Sequence, residues 1–196
     1  MNRIKYILLI FLILGCKNSS NKNSLQDNKS WNCTSIDNEK VCIPLDWKLL
    51  HQSKFLFFSY LNNSDTNTFF TVLKYNKAVS GLNVHDYLKT YYSALIKDTV
   101  ESFTGFTTKE LIMENRNSYY SEFYTRLNKK PYITYSMVFE NDNNLYEFTL
   151  KSDSAHFMNY KATFSTVLFN YQHNNKSIFS SKDKIKAVKI IDISKL

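Results

Sequence analysis

Residues 107–151, TTKELIMENRNSYYSEFYTRLNKKPYITYSMVFENDNNLYEFTLK, hold four aromatic and β-branched runs divided by three short polar breaks. The runs Thr107–Glu114, Tyr119–Leu127, Tyr132–Glu140 and Leu145–Lys151 have the length and composition of strands. The breaks Asn115-Arg116-Asn117, Asn128-Lys129-Lys130-Pro131 and Asp142-Asn143-Asn144 carry the residues that close tight hairpins. Successive hairpins imply an antiparallel meander, because parallel neighbours need long crossovers.

Outward from the meander the pattern changes period. Upstream, Phe55–Leu61 and Phe69–Tyr75 read as two more strands around the turn Asn62-Asn63-Ser64-Asp65. Between them and the meander, Val84, Tyr87, Leu88, Tyr91 and Leu95 recur at helical spacing, predicting a helix over 84–100 capped by Asn83. Downstream, Phe157, Tyr160, Phe164, Val167 or Leu168, and Tyr171 form the stripe of a second helix over 155–171, capped by Asp153 or Ser154. An antiparallel sheet and two amphipathic helices must bury their apolar faces together, so the fold class is α+β, a layered sandwich. The domain spans residues 31–173. Residues 174–196 form a basic C-terminal tail, in which Ile185–Ile193 is apolar enough for one more strand but equally suits loose order.

Before the domain, Trp31–Ile36 and Glu39–Pro44 flank Asp37-Asn38 as a two-residue hairpin. That register sets Cys33 opposite Cys42 and predicts a disulfide between them, closing a loop of about 10 residues worth roughly 2–3 kcal/mol. A lone C-x8-C is poor zinc spacing, and redox catalysis would want C-x-x-C, so no metal site is expected.

The first residues have the grammar of a secretory signal: Arg3 and Lys5, then an apolar run from Ile7 to Leu14 too short to span a bilayer. The run ends in Ile13-Leu14-Gly15-Cys16, which resembles the lipobox of bacterial lipoproteins. The resemblance implies removal of residues 1–15 and acylation of Cys16, leaving the mature chain on a membrane through its lipid. The absence of an aspartate at position 17 implies the outer membrane. Residues 17–30, KNSSNKNSLQDNKS, are too polar to order themselves and read as a tether.

The chain of 196 residues has a net charge of +8, which invites a nucleic-acid reading. The signal, tether and tail hold that excess, however, and residues 31–173 are close to neutral. A nucleic-acid reader carries its basic stripe on the folded face that docks, so no nucleic-acid partner is expected. The three glycines are too scattered for a dinucleotide fingerprint, a P-loop or a nucleophile elbow. His51, His85, His156 and His173 fall in separate elements without a metal-binding spacing. No cofactor, catalytic residue or enzymatic activity is expected. The candidate binding face is one side of the run Tyr119–Leu127: Tyr120, Glu122, Tyr124 and Arg126, which combine aromatic area with hydrogen-bonding groups. The competing reading is a sheet face covered by a helix or simply solvated.

Pro44 and Trp47, the Leu82–Leu88 stretch, the meander and the helix Phe157–Phe169 follow the order of elements in a known family. In that order the chain resembles PsbP-like proteins, including the DcrB-like bacterial lipoproteins. The resemblance implies an α/β/α sandwich and a non-enzymatic binding or accessory module of the cell envelope with a protein partner. A carrier or chaperone for a hydrophobic peptide or lipid is the alternative, and a small hydrolase comes third.

Overall fold

The structure is a computed structural model, and it describes residues 31–51, 56–62, 64–97, 102–113, 116–179, 183–192 and 195. The signal, Cys16 and the tether lie outside the described residues. The first hairpin forms in the expected register: β1 (Trp31–Ile36) pairs with β2 (Glu39–Pro44), Cys33 opposes Cys42, and a disulfide joins them. Asp37 at the turn takes φ 50, the left-handed conformation that such a turn requires and that Asp tolerates.

The strands β3 (Trp47–His51), β4 (Leu56–Asn62) and β5 (Phe69–Asn76) follow, then a short helix α1 (Lys77–Ser80) and the helix α2 (Val84–Lys97). The meander comprises β6 (Ser102–Met113), β7 (Asn117–Leu127), β8 (Lys130–Asn141) and β9 (Asn144–Asp153). Helix α3 (Phe157–Asn170) leads into the two-residue strands β10 (Gln172–His173) and β11 (Lys176–Ser177), and β12 (Ile185–Ile191) ends the described fold. The eight-stranded sheet has the order β12-β6-β7-β8-β9-β5-β4-β3, antiparallel throughout, and a four-stranded sheet has the order β1-β2-β10-β11. The fold is therefore α+β, with the expected meander at its centre.

Period-two alternation sorts the sheet residues onto two faces. One face, with Tyr119, Phe123, Val138 and Leu145, packs against Tyr87, Leu88 and Tyr92 of α2. The other, with Met137, Phe139, Tyr146, Phe148 and Leu150, packs against Phe157, Phe164, Val167 and Leu168 of α3 and against Val41 and Ile43 of the small sheet. Phe148 shows how dense this side is: it is fully buried, with its ring centroid 5.6 Å from that of Phe139 and 4.8 Å from that of Tyr171.

Several boundaries differ from the sequence expectation. β6 starts at Ser102, ahead of Thr107, because an irregularity between Phe103 and Gly105 interrupts the alternation without ending the pairing. Neither Asp153 nor Ser154 is the N-cap of α3; that position belongs to His156, whose backbone N–H and Nδ1 both meet the Asp153 carboxylate. The segment after residue 173 is built into the domain. Ile178 and Phe179 are buried in the α3-side core, and β12 pairs with β6 at the sheet edge. Among the described residues no helix is long and apolar enough to cross a membrane.

Candidate functional site

β7 places its even-numbered residues on the α3 side of the sheet. Helix α3 packs over β9 and β2. On the outer strands Leu111 and Met113 of β6 and Ile185 of β12 still join this core, whereas Val188 and Ile190 of β12 and Tyr124 and Arg126 of β7 are exposed on that side. Tyr120 sits half-buried at the margin of the helix-covered core, whereas Tyr124 and Arg126 are exposed. The four candidate residues thus share a face but not an environment.

Glu122 organises this face. Its two carboxylate oxygens accept hydrogen bonds from the Tyr120 hydroxyl at 3.0 Å and the Tyr124 hydroxyl at 2.9 Å. Burial, followed by the Glu122 charge, holds the Tyr120 hydroxyl far above the ordinary phenol range. Tyr124 is pushed up to about 12 by burial and by its bond to Glu122, and Tyr135 to about 12 chiefly by burial. These tyrosines are therefore hydrogen-bond donors at any physiological pH. Lys161 of α3 places its ammonium 5.2 Å from the centre of the Tyr135 ring. Burial lowers its pKa, and the Glu122 charge opposes that shift.

Beside this cluster, α3 and the sheet enclose an apolar cleft of about 110 Å³. Leu111, Met137, Phe164, Leu168 and Phe179 supply its apolar lining, and Tyr120, Tyr135, Lys161 and Asp183 its polar groups. The sequence singled out Tyr120 without its neighbours. The α3 contribution was present in the helical stripe, while Phe179 gave no signal because it follows a two-residue strand.

The four histidines occupy different places. The His85 Nε2 lies 2.8 Å from the Tyr119 hydroxyl, and the His51 side chain is outside the described residues. His173 was missed as a partnered group: its Nδ1 is 2.7 Å from Glu39, which also accepts from Lys74 at 2.7 Å and Tyr146 at 2.8 Å. The other His173 ring nitrogen meets Asn174 and Asp142, not a hydroxyl or thiol. Glu39 thereby clasps the small sheet to the large one.

Among the described residues one group has a spacing that suits a metal ion: ligand atoms of Asp65, Asp153 and His156 all lie within 4.8 Å of one another. Those atoms already serve the chain. Asp65 accepts from the Asn67 N–H and the Thr68 hydroxyl, and Asp153 accepts from the His156 N–H. The group clasps the start of α3.

A second buried carboxyl, Glu147, lies beneath α2. It accepts hydrogen bonds from Tyr87 and from Ser136, the latter at 2.7 Å. Burial raises its pKa against the opposing effect of these bonds.

No protein-family model and no curated protein matches the chain. Solved structures do. The solution structure of CyanoP, the cyanobacterial PsbP of Synechocystis, superposes with a TM-score of 0.52 at 13% identity, covering 78% of this chain and 98% of CyanoP. The fold is PsbP-like. LpqN of Mycobacterium tuberculosis, involved in cell envelope biogenesis, gives a TM-score of 0.45 at 9% identity over 86% of this chain and 88% of its own. A Bacteroides thetaiotaomicron protein gives 0.43 at 12% identity over 69% and 45%. In the PsbP-like arrangement seen here, α2 and α3 cover opposite faces of the sheet, and the candidate residues lie where the α3 layer stops short of the sheet edge.

Proposed function

We propose that this chain is a lipid-anchored, non-enzymatic binding module of the bacterial cell envelope, which engages a protein partner through the open part of its α3-side face. The observation that carries the reading is the apolar cleft beside the Tyr120–Glu122–Tyr124 cluster. A side-chain-sized apolar recess next to phenol rings fixed by Glu122 is the arrangement that seats an anchor residue at a protein interface. Small-molecule sites usually enclose about 300–1,000 Å³. At about 110 Å³ the cleft suits one side chain better than a whole amphiphile, so this feature favours a protein partner over a lipid cargo.

The lipobox-like Ile13-Leu14-Gly15-Cys16 and the polar residues 17–30 support acylation of Cys16 and a tethered domain. Two or three acyl chains give a stable anchor, each buried methylene adding about 0.8 kcal/mol. Lys17 after the cysteine supports the outer membrane as the site.

Two measurements test the proposal. Labelling of the full chain with a fatty-acid analogue is expected to vanish in Cys16→Ala, and labelling that persists refutes the anchor. Crosslinking in native envelopes is expected to recover a partner that is lost when Tyr120, Tyr124 and Arg126 are replaced by alanine. A partner retained by that triple variant rules out this face.

A further inference from the structure

We infer that the partner element is an amphipathic α-helix with an acidic flank, lying alongside α3 on β7, β6 and β12; this rests on the protein-binding reading above. The shape comes first. α3 stands on the sheet by about one helix diameter, roughly 10 Å. Beyond it, the ends of the three outer strands that carry Tyr124 and Arg126 of β7, Thr107 and Lys109 of β6, and Val188 and Ile190 of β12 form an open floor about 14 Å wide at about 4.8 Å per strand. A wall and a floor of those dimensions receive a cylinder of helical width.

The floor has the chemistry of a buried layer without a cover. Val188 is 45% exposed and Ile190 73% exposed, on the same face as the buried Leu111. Cross-strand pairing runs Ile190, Lys109, Tyr120, Met137 from the open edge inward, ending at the cleft. An apolar stripe laid across this floor would cover the two exposed aliphatic residues and place one side chain in the cleft.

The charge sets the flank. Lys109, Lys161 and Arg126 belong to this face, and Lys109 is close enough to Lys161 to depress its pKa. Glu122 is the opposing charge, and its oxygens are already held by two tyrosine hydroxyls. Asp183, which also lines the cleft, lies close enough to Arg116 to influence its guanidinium. Asp192, two residues beyond Ile190, is held by Lys195 at 3.2 Å, so the excess is positive and the complementary helix carries Asp or Glu beside its apolar stripe.

The test uses the full chain in zwitterionic lipid nanodiscs, with empty nanodiscs as blank. Two fluorescent 18-residue helical peptides share one leucine stripe and differ in Glu or Lys flanks. Anisotropy is expected to show the Glu peptide binding about tenfold more tightly. Combining Lys109→Glu with Lys161→Glu is expected to reverse that preference. Val188→Asp with Ile190→Asp, at exposed positions that leave the core intact, is expected to weaken binding about tenfold. Equal binding of the two peptides, or indifference to either double variant, overturns the inference. So does a result in which the Val188/Ile190 variant instead abolishes self-association or adsorption to phosphatidylglycerol vesicles. If envelope crosslinking recovers a Tyr124-dependent partner while neither peptide binds, the protein-binding reading stands and the helix falls.

Discussion

Reducing the Cys33–Cys42 disulfide offers a sharp quantitative test of the fold. The two residues are nine apart in sequence and directly opposed in the β1–β2 ladder. Closing so short a loop restricts the unfolded chain by about 2.6 kcal/mol at 25 °C in the loop-entropy account. The folded side of the balance changes little, because Cys33 is exposed and five other β1–β2 pairs hold the register. For a domain of this size each kcal/mol moves the melting temperature by about 2–4 °C, so reduction should lower it by roughly 5–10 °C. Thermal unfolding followed by far-UV circular dichroism, with and without a phosphine reductant, measures the shift. Cys33→Ala combined with Cys42→Ala should reproduce it without reductant. An unchanged midpoint would show that the unfolded chain already holds this hairpin. Loss of the β-sheet signal at 25 °C would show that the native structure itself depends on the bond. Either result refutes the reasoning.

Two further substitutions probe the two faces of the sheet. Glu147 has a raised pKa in the folded state, so between its unfolded value of about 4.3 and its folded value only the unfolded chain gives up the proton. Stability should therefore fall as pH rises through that window. In Glu147→Gln this part of the slope should vanish, and urea midpoints that differ from wild type by the same amount at every pH would contradict the assignment. Phe148→Ala removes a fully buried ring between Phe139 and Tyr171 and should cost about 3–5 kcal/mol in urea denaturation. A loss under about 1 kcal/mol would mean that the α3-side core repacks around the gap.

The meander was legible because Asn and Asp turns punctuate runs of regular alternation, and because Asp37-Asn38 alone sets the register that brings Cys33 to Cys42. What escaped is what periodicity does not encode. Phe103-Thr104-Gly105-Phe106 belongs to β6 across an irregularity that scrambles its pattern. Gln172-His173 and Lys176-Ser177 are too short to show any period, yet they complete the second sheet. The site was half legible. Alternation assigned Tyr120, Glu122, Tyr124 and Arg126 to one face, but the extent of α3 over that face follows from packing between distant segments. Lys161, Phe164 and Phe179 joined Tyr120 only in three dimensions. Nothing local in the sequence marks Glu147 or Glu39 as a buried carboxylate, because their hydrogen-bond donors come from other elements.

The clasp between Glu39 and His173 also constrains the order of assembly. The two residues are 134 positions apart and pair across the small sheet, so the β1–β2 hairpin waits for the much later β10–β11 hairpin. β12, later still, supplies an edge to the large sheet. Contacts of such long separation are entropically costly to form and slow to nucleate. A nascent chain that has released only its first 170 residues holds β1 and β2 with the small sheet incomplete, and Glu39 without its imidazole. Completion of the small sheet thus waits for residues 172–177, which stitch it to the large sheet through Glu39.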